Sequence, residues 1–364
     1  MSASSSRIQP SGLPHGVRAS LQRRPLISFF VLAYGFSWLV STPYILSVWG
    51  AVQSNWLTGF MLKQWVGPAL AGMIMAGVIG GRPGLRDLRQ KGRTWRVGWP
   101  WYLAILLGVP VLLLVGVLAV SGAPASPPRI GLELVGSYVL YFVLVFIAVG
   151  FPEDVGWRGF ALPRLQARFG PLAGTLVLGL LWAGWHLPFF LTPDHGGGPQ
   201  ADPATVATNF ALFSAMVVLM AVPFSFVFNR TRSVLMTALL HTAIDTPQAV
   251  WLPLLLPVGL ENSARGEARL DLALLLVVGV VAVLVVALTR GRLGWSATDP
   301  PARTVESDTT TGSIGSGCHP ATGRTQVPRS SSIPTVSPDS AGRRPPPYRS
   351  MLSRGGREAA SWTR

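Results

Sequence analysis

Charge is the scarcest commodity in this sequence. Only 12% of the 364 residues are Asp, Glu, Lys or Arg, about half of the roughly 25% usual in soluble domains. Hydrophobic residues make up 49% of the chain, and its mean hydropathy is +0.43. Those values exclude a water-soluble globule. Lysine is almost absent, with Lys63 and Lys91 alone, so the positive charge is nearly all arginine. Acids are few: 15 Asp and Glu stand against 30 Lys and Arg, a net charge of +15. A basic balance often marks a nucleic-acid partner, but such proteins are polar and this one is not, so no nucleic acid is expected. There is a single cysteine, Cys318. That excludes an internal disulfide framework and any cysteine-cluster metal site.

What is there is a series of long apolar runs. A helix needs about 20 apolar residues to cross roughly 30 Å of hydrocarbon. Runs that meet this length lie near 25–49, 58–80, 99–120, 133–151, 171–191, 205–228, 233–258 and 271–289. The stretch 152–170 is amphipathic; it either continues the fourth span or folds back. The first run is too long for a signal-peptide core and reads as a retained span.

Loop charge sets the orientation. Arg82, Arg86, Arg89, Lys91, Arg93 and Arg96 follow the second span, and Arg158, Arg164 and Arg168 the fourth. Arg230 and Arg232 follow the sixth, and Arg290 and Arg292 the eighth. Intervening loops have little net positive charge. The expected fold is therefore all-α: a polytopic membrane bundle of about eight transmembrane helices, both termini cytoplasmic. Residues 1–24 form a basic cytoplasmic segment and 25–290 the membrane domain. Residues 291–364 are rich in Ser, Thr, Pro, Gly and Arg and read as a disordered cytoplasmic tail.

Against this apolar background a few polar residues stand out. Ionisable groups inside a membrane are costly and are functional candidates by default. In Pro152-Glu153-Asp154-Val155-Gly156-Trp157-Arg158, a helix makes Asp154 and Arg158 i,i+4 partners. Glu153 then points about 100° away, toward a cavity. The blander reading is an acidic helix start followed by an interfacial arginine. In Trp182-Ala183-Gly184-Trp185-His186, the histidine is the sole ionisable residue of its span; the blander reading is a neutral ring bonded to a carbonyl. His241 and Asp245 are again i,i+4 partners on an apolar helix. Here a buried acid is a heavy cost for a purely structural link.

Together Glu153, Asp154, Arg158, His186, His241 and Asp245 supply bases, polarisers and a guanidinium from three helices. That inventory suits activation of water against a carbonyl. Two imidazoles and a carboxylate, Glu153, His186 and His241, also suffice in number for zinc with one open position. The residues leave both chemistries open, and the cofactor is either none or zinc.

The order Glu-Asp-x-x-x-Arg, Trp-x-x-x-His, His-x-x-x-Asp resembles the CPBP family of intramembrane proteases. That group takes in CAAX-processing endopeptidases, Rce1-like proteins and bacterial Abi homologues. Gly156-Trp157-Arg158-Gly159, Trp185-His186-Leu187-Pro188 and Gly81-Arg82-Pro83-Gly84-Leu85-Arg86 are wordings similar to those of bacterial members. The resemblance covers roughly residues 25–290. It implies a peptidase in a bacterial plasma membrane, either metal-dependent or glutamate-dependent, acting on a membrane-associated peptide or protein. It implies that Glu153 and His186 activate water, that Arg158 orients the acids, and that His241 and Asp245 complete the site. A homologue without activity, serving as a membrane immunity or binding protein, is the alternative. Three positions depart from the family pattern. Asp154 replaces a glutamate and reaches about 1.5 Å less far. Trp182 replaces a phenylalanine. Asp245 stands where asparagine is common, and an ionised acid cannot donate to an oxyanion, so it is either protonated or serves to orient His241.

Overall fold

The structure is a computed structural model that describes residues 15–52, 66–122, 124, 130–256 and 264–296. All regular structure among the described residues is helical. A short α1 (His15–Arg23) leads into α2 (Pro25–Val48), where Pro25 takes a first-turn position that needs no N–H partner. Then come α3 (Val66–Arg93), α4 (Trp99–Ser121), α5 (Leu132–Phe169) and α6 (Pro171–Trp185). A short 3₁₀ turn, Leu187–Leu191, extends α6. The bundle closes with α7 (Pro203–Thr231), α8 (Val234–Val250) and α9 (Ala264–Thr289).

Among the described residues, six stretches of helix are long and apolar enough to cross a membrane: Pro25–Val48, Trp99–Ser121, Leu132–Phe169, Pro171–Leu191, Pro203–Thr231 and Arg269–Thr289. The chain is a multi-pass membrane protein. The six coincide with six of the eight apolar runs. The other two runs differ for physical reasons. Residues 53–65 of the second lie outside the described residues, and α3 is apolar only up to a kink at Gly81 (φ 56°, ψ −144°), followed by Pro83 and the arginines. The seventh run becomes α8, which has 17 residues. It packs against α3, α4, α5 and α7 and buries residues around most of its circumference. A helix covered on all sides is a core helix. Its hydroxyls fold back on its own carbonyls: Thr237 donates to Val234 at 3.0 Å and Thr242 to Ala238 at 2.9 Å.

The ambiguous stretch 152–170 continues the fourth span as one helix. At 38 residues, α5 is about 57 Å long, nearly twice the hydrocarbon thickness. It is not uniformly α-helical. π-helical turns occur at Phe146–Gly150 and Trp157–Ala161, and a third lies in α4 at Ala104–Gly108. Each is followed two residues later by a proline: Pro152, Pro163 and Pro110. A proline within a helix has no N–H to give and its ring crowds the carbonyl four residues back. A wider turn just before it relieves that clash. In α5 the two π turns bracket Phe151–Gly156, the segment that carries Glu153 and Asp154.

Small residues let this segment sit close to α3. A methyl group on Gly156 would lie 2.3 Å from the carbonyl oxygen of Pro68, and one on Gly72 would lie 3.3 Å from the Cα of Gly156. Below the crossing, Lys91 Nζ reaches Asp87 at 2.7 Å and the carbonyl of Gly159 at 3.3 Å. Burial pushes the Lys91 ammonium below its ordinary range, and the Asp87 ion pair opposes that. On the other flank Tyr34 of α2 donates to the carbonyl of Leu181, and Trp38 donates to that of Trp185 at 3.0 Å.

The docked chain extends past residue 290, where sequence placed the edge of the membrane domain. Leu293 is fully buried, and Asn229 donates to its carbonyl at 2.9 Å. Residues 1–14 and 297–364, including most of the expected basic segment and tail, lie outside the described residues.

Candidate active site

The three sequence groups meet in the middle of the bundle. Glu153, Asp154 and Arg158 come from α5, His186 from the end of α6, and His241 and Asp245 from the central α8. Arg158 and Asp154 are fully buried, Glu153 is 1% exposed, His241 5% and His186 9%. The Asp245 side chain is the open edge, at 34%.

As helical spacing predicts, Asp154 and Arg158 pair. Oδ1 of Asp154 lies 3.1 Å from a guanidinium nitrogen, although the N–H bonds are not aligned for a hydrogen bond. The guanidinium sits in the corner of two rings that meet edge-on, 4.0 Å from the ring centre of Trp182 and 4.2 Å from that of Phe224. Stacking on aromatic faces compensates a desolvated cation that a single carboxylate leaves underprovided. The other oxygen of Asp154 lies 3.2 Å from Nδ1 of His241. His241 Nε2 is 3.5 Å from Asp245. His241 thus stands between two carboxylates, and its ring is wedged edge-on against Trp182 and Phe224 at 5.6 Å from each.

Glu153 turns away from Arg158, also as the spacing predicts. Its Oε2 accepts from the indole N–H of Trp182 at 2.7 Å and of Trp157 at 3.2 Å. His186 shows the bond of its blander reading: Nδ1 lies 2.9 Å from the carbonyl oxygen of Trp182. A carbonyl can only accept, so Nδ1 is the donor there, and a neutral ring keeps a bare lone pair on Nε2. The structural role and a chemical one are therefore compatible in the same residue. His186 is walled by Trp185, Phe189 and Phe213, with ring centres at 4.7, 5.8 and 5.0 Å.

Aromatic residues join these groups. Trp182, which spacing marks only as the start of the Trp-x-x-x-His motif, contacts Glu153, Arg158, His186 and His241. Trp157 adjoins Arg158 in the sequence and donates to Glu153. Phe224, on α7, belongs to no motif. The available signal was the tryptophan content near the acids: a buried indole usually finds an acceptor for its N–H.

Among the described residues no three His, Cys, Asp or Glu side chains are gathered so as to hold a metal ion. The zinc trio considered from the sequence is turned to other partners. Glu153 Oε2 carries two indole donors, both nitrogens of His241 face carboxylates, and His186 offers Nε2 alone. As placed, these residues do not fit zinc.

The fold and this cluster define a class: a multi-pass helical membrane protein with a buried acid–imidazole centre. Residues 135–247, which hold all six of these residues, match the family model for type II CAAX prenyl endopeptidase Rce1-like proteins. The chain is also similar to CAAX prenyl protease 2 of Methanococcus maripaludis, with 30% identity over 86 residues. That alignment covers 24% of this chain and 28% of the relative's length. The family resemblance read from the three motifs is borne out, with the matched residues confined to 135–247 of the roughly 25–290 over which it was read.

Proposed function

We propose that this protein is an intramembrane endopeptidase that hydrolyses a peptide bond of a membrane-associated peptide or protein. The observation that carries the reading is the convergence of Glu153, His186 and His241 from three helices on one buried aromatic hub, Trp182. Two carboxylates, two imidazoles and a guanidinium packed away from water, with a third carboxylate at the open edge, are expensive to assemble for packing alone.

In the reaction, a water molecule loses a proton to the Glu153 carboxylate, with the bare Nε2 of His186 as its second acceptor. The resulting hydroxide attacks the peptide carbonyl carbon. The carbonyl π pair moves to oxygen, and the oxyanion takes the Nε2–H of His241 from Asp245, the longer of its two contacts at 3.5 Å. Asp154 keeps Nδ1 of His241 at 3.2 Å, and Arg158 holds Asp154. The tetrahedral species collapses when the proton taken by Glu153 passes to the leaving nitrogen. The near-complete burial of the centre suits peptide chemistry in the bilayer, where excluded water strengthens each of these interactions. The arginine-rich loops support an orientation with both termini cytoplasmic and residues 25–290 as the membrane domain, and the motif wordings support a bacterial plasma membrane.

The relative's name makes a prenylated C-terminal cysteine peptide the first probe. Wild type and Glu153→Gln, purified in detergent, are incubated with that probe and with a membrane-peptide library, with and without a chelator. Products are read by mass spectrometry. Cleavage by wild type alone, unaffected by the chelator, is expected. Equal cleavage by both proteins overturns the role of Glu153. Loss of wild-type activity with chelator, restored by added zinc, overturns the metal-free route.

A further inference from the structure

The two carboxylate oxygens of Glu153 have different surroundings. Oε2 carries two hydrogen bonds, from Nε1 of Trp182 and Nε1 of Trp157. Oε1 is buried and has no hydrogen-bond partner among the described residues. Buried polar atoms are almost always paired, and one that is not calls for an explanation. The donors also come from different helices. Trp157 lies one turn along α5 from Glu153, while Trp182 reaches across from α6. A terminal carboxylate rotates easily in a broad, two-fold well. Two donors converging on one oxygen remove that freedom.

Trp182 is itself immobilised. It is 1% exposed, its ring lies 4.0 Å from the Arg158 guanidinium, and Phe224 packs against it edge-on at 5.5 Å. Its carbonyl receives Nδ1 of His186. One residue therefore aims two groups: its side chain fixes Glu153, and its backbone fixes the tautomer of His186.

We propose that Trp182, assisted by Trp157, is a positioning residue that clamps Glu153 through Oε2 and presents Oε1 as the oxygen that takes the proton. The inference rests on the endopeptidase reading and adds to it. In the step concerned, one O–H bond of water breaks, an Oε1–H bond forms, and the electron pair left on water attacks the carbonyl carbon. Oε2 keeps its indole donors throughout, so the carboxylate does not turn as the proton arrives. Pre-set orientation of this kind acts on kcat and leaves substrate binding alone.

The test uses the full-length protein in detergent micelles. Trp182→Phe keeps the ring over Arg158 and removes one N–H. With the prenylated peptide, kcat falls about tenfold or more, the order expected for losing one hydrogen bond to a charged acceptor, while KM is unchanged. Trp157→Phe, whose bond is longer, falls less. The double variant falls further than either. A second measurement does not need substrate. Protein carrying ¹⁵N-labelled indoles gives Nε1–H resonances that the two Trp→Phe variants assign. Both resonances move upfield in Glu153→Gln, because a neutral amide is a weaker acceptor than a carboxylate. Wild-type kcat in folded Trp182→Phe overturns the clamp, as do indole resonances that ignore Glu153→Gln. If the resonances respond as expected and wild type cleaves neither the prenylated probe nor the peptide library, the endopeptidase reading fails and the clamp does not.

Discussion

Oδ2 of Asp154 lies 3.2 Å from Nδ1 of His241, across 87 positions of sequence. This contact ties the first motif to the third and gives the shorter acid at position 154 a physical role. Asp154 is fully buried between Arg158 and His241. Asp154→Asn keeps the shape and removes the charge. It leaves Arg158 without a carboxylate partner, and breaking a buried pair in this way costs about 3–5 kcal/mol. The expected outcome is a lower unfolding midpoint in detergent together with loss of cleavage. An unchanged midpoint would show that the pair contributes nothing to the fold.

Arg158 is held by geometry as well as by charge. Its flat guanidinium lies in the corner formed by the rings of Trp182 and Phe224, at 4.0 and 4.2 Å from their centres. Lysine keeps the charge but cannot stack as a plane. A desolvated cation–π contact is worth about 2 kcal/mol, so Arg158→Lys lowers stability measurably and lowers kcat by way of a loosened Trp182. In a double-mutant cycle, Asp154→Asn with Arg158→Met destabilises less than the sum of the single changes. Strict additivity would mean that the two residues act separately.

The close crossing of α3 and α5 makes a sharper test of position than of charge. A Cβ on Gly156 meets the Pro68 carbonyl oxygen at 2.3 Å, and one on Gly136, in the same helix, meets nothing within 4 Å. Gly156→Ala forces the acidic segment off α3, and overpacking costs about 1–3 kcal/mol. Glu153 shifts with it, so cleavage falls even where the variant is folded. Gly136→Ala gains helix propensity of up to about 1 kcal/mol and keeps activity. Thermal melts and cleavage rates on this pair separate backbone placement from the generic effect of adding a methyl group.

One pH effect can be placed outside the membrane spans. Asp202 caps α7, accepting from the Thr205 hydroxyl at 2.7 Å and its amide at 2.9 Å. The Thr205 hydroxyl first, and then its amide, hold the Asp202 carboxyl below the usual carboxylate range. A depressed carboxyl stabilises the folded state above its unfolded value, and that contribution is lost as pH falls through the lowered one. The protection of the first-turn amides of α7, taken relative to the intrinsic exchange rate at each pH, therefore falls on acidification. In Asp202→Asn, which still caps but does not titrate, the pH dependence of that protection disappears.

Much of this was legible in the sequence because helical periodicity carries it. The i,i+4 spacings placed Asp154 beside Arg158 and His241 beside Asp245, and sent Glu153 a different way. Contacts between helices were not legible. Nothing in the spacing says that His241 meets Asp154, that Phe224 lies on Arg158, or that both tryptophans aim at Glu153. Apolar length counted eight runs, but length does not distinguish a lipid-facing helix from one enclosed by its neighbours, as α8 is. The π turns had a signal that went unread, a proline two residues beyond each. Hydropathy alone did not resolve 152–170, since the amphipathic face of that stretch packs on α3 and α6.

His186 gives the last test, because its two nitrogens are separable. Nδ1 is committed to the Trp182 carbonyl at 2.9 Å, which leaves Nε2 as the nitrogen open to a second partner. Asparagine places its amide near Nδ1 and retains the carbonyl contact but has nothing at Nε2. Glutamine reaches about as far as Nε2 and is neutral, but its amide is not a base. If His186 serves only to pack and bond the carbonyl, His186→Asn keeps activity. If Nε2 takes part in activating water, both variants fold, retain substrate binding, and lose about 10²–10⁴ in kcat. The second outcome is expected, since Nε2 is the one hydrogen-bonding position on this ring that the Trp182 carbonyl does not occupy.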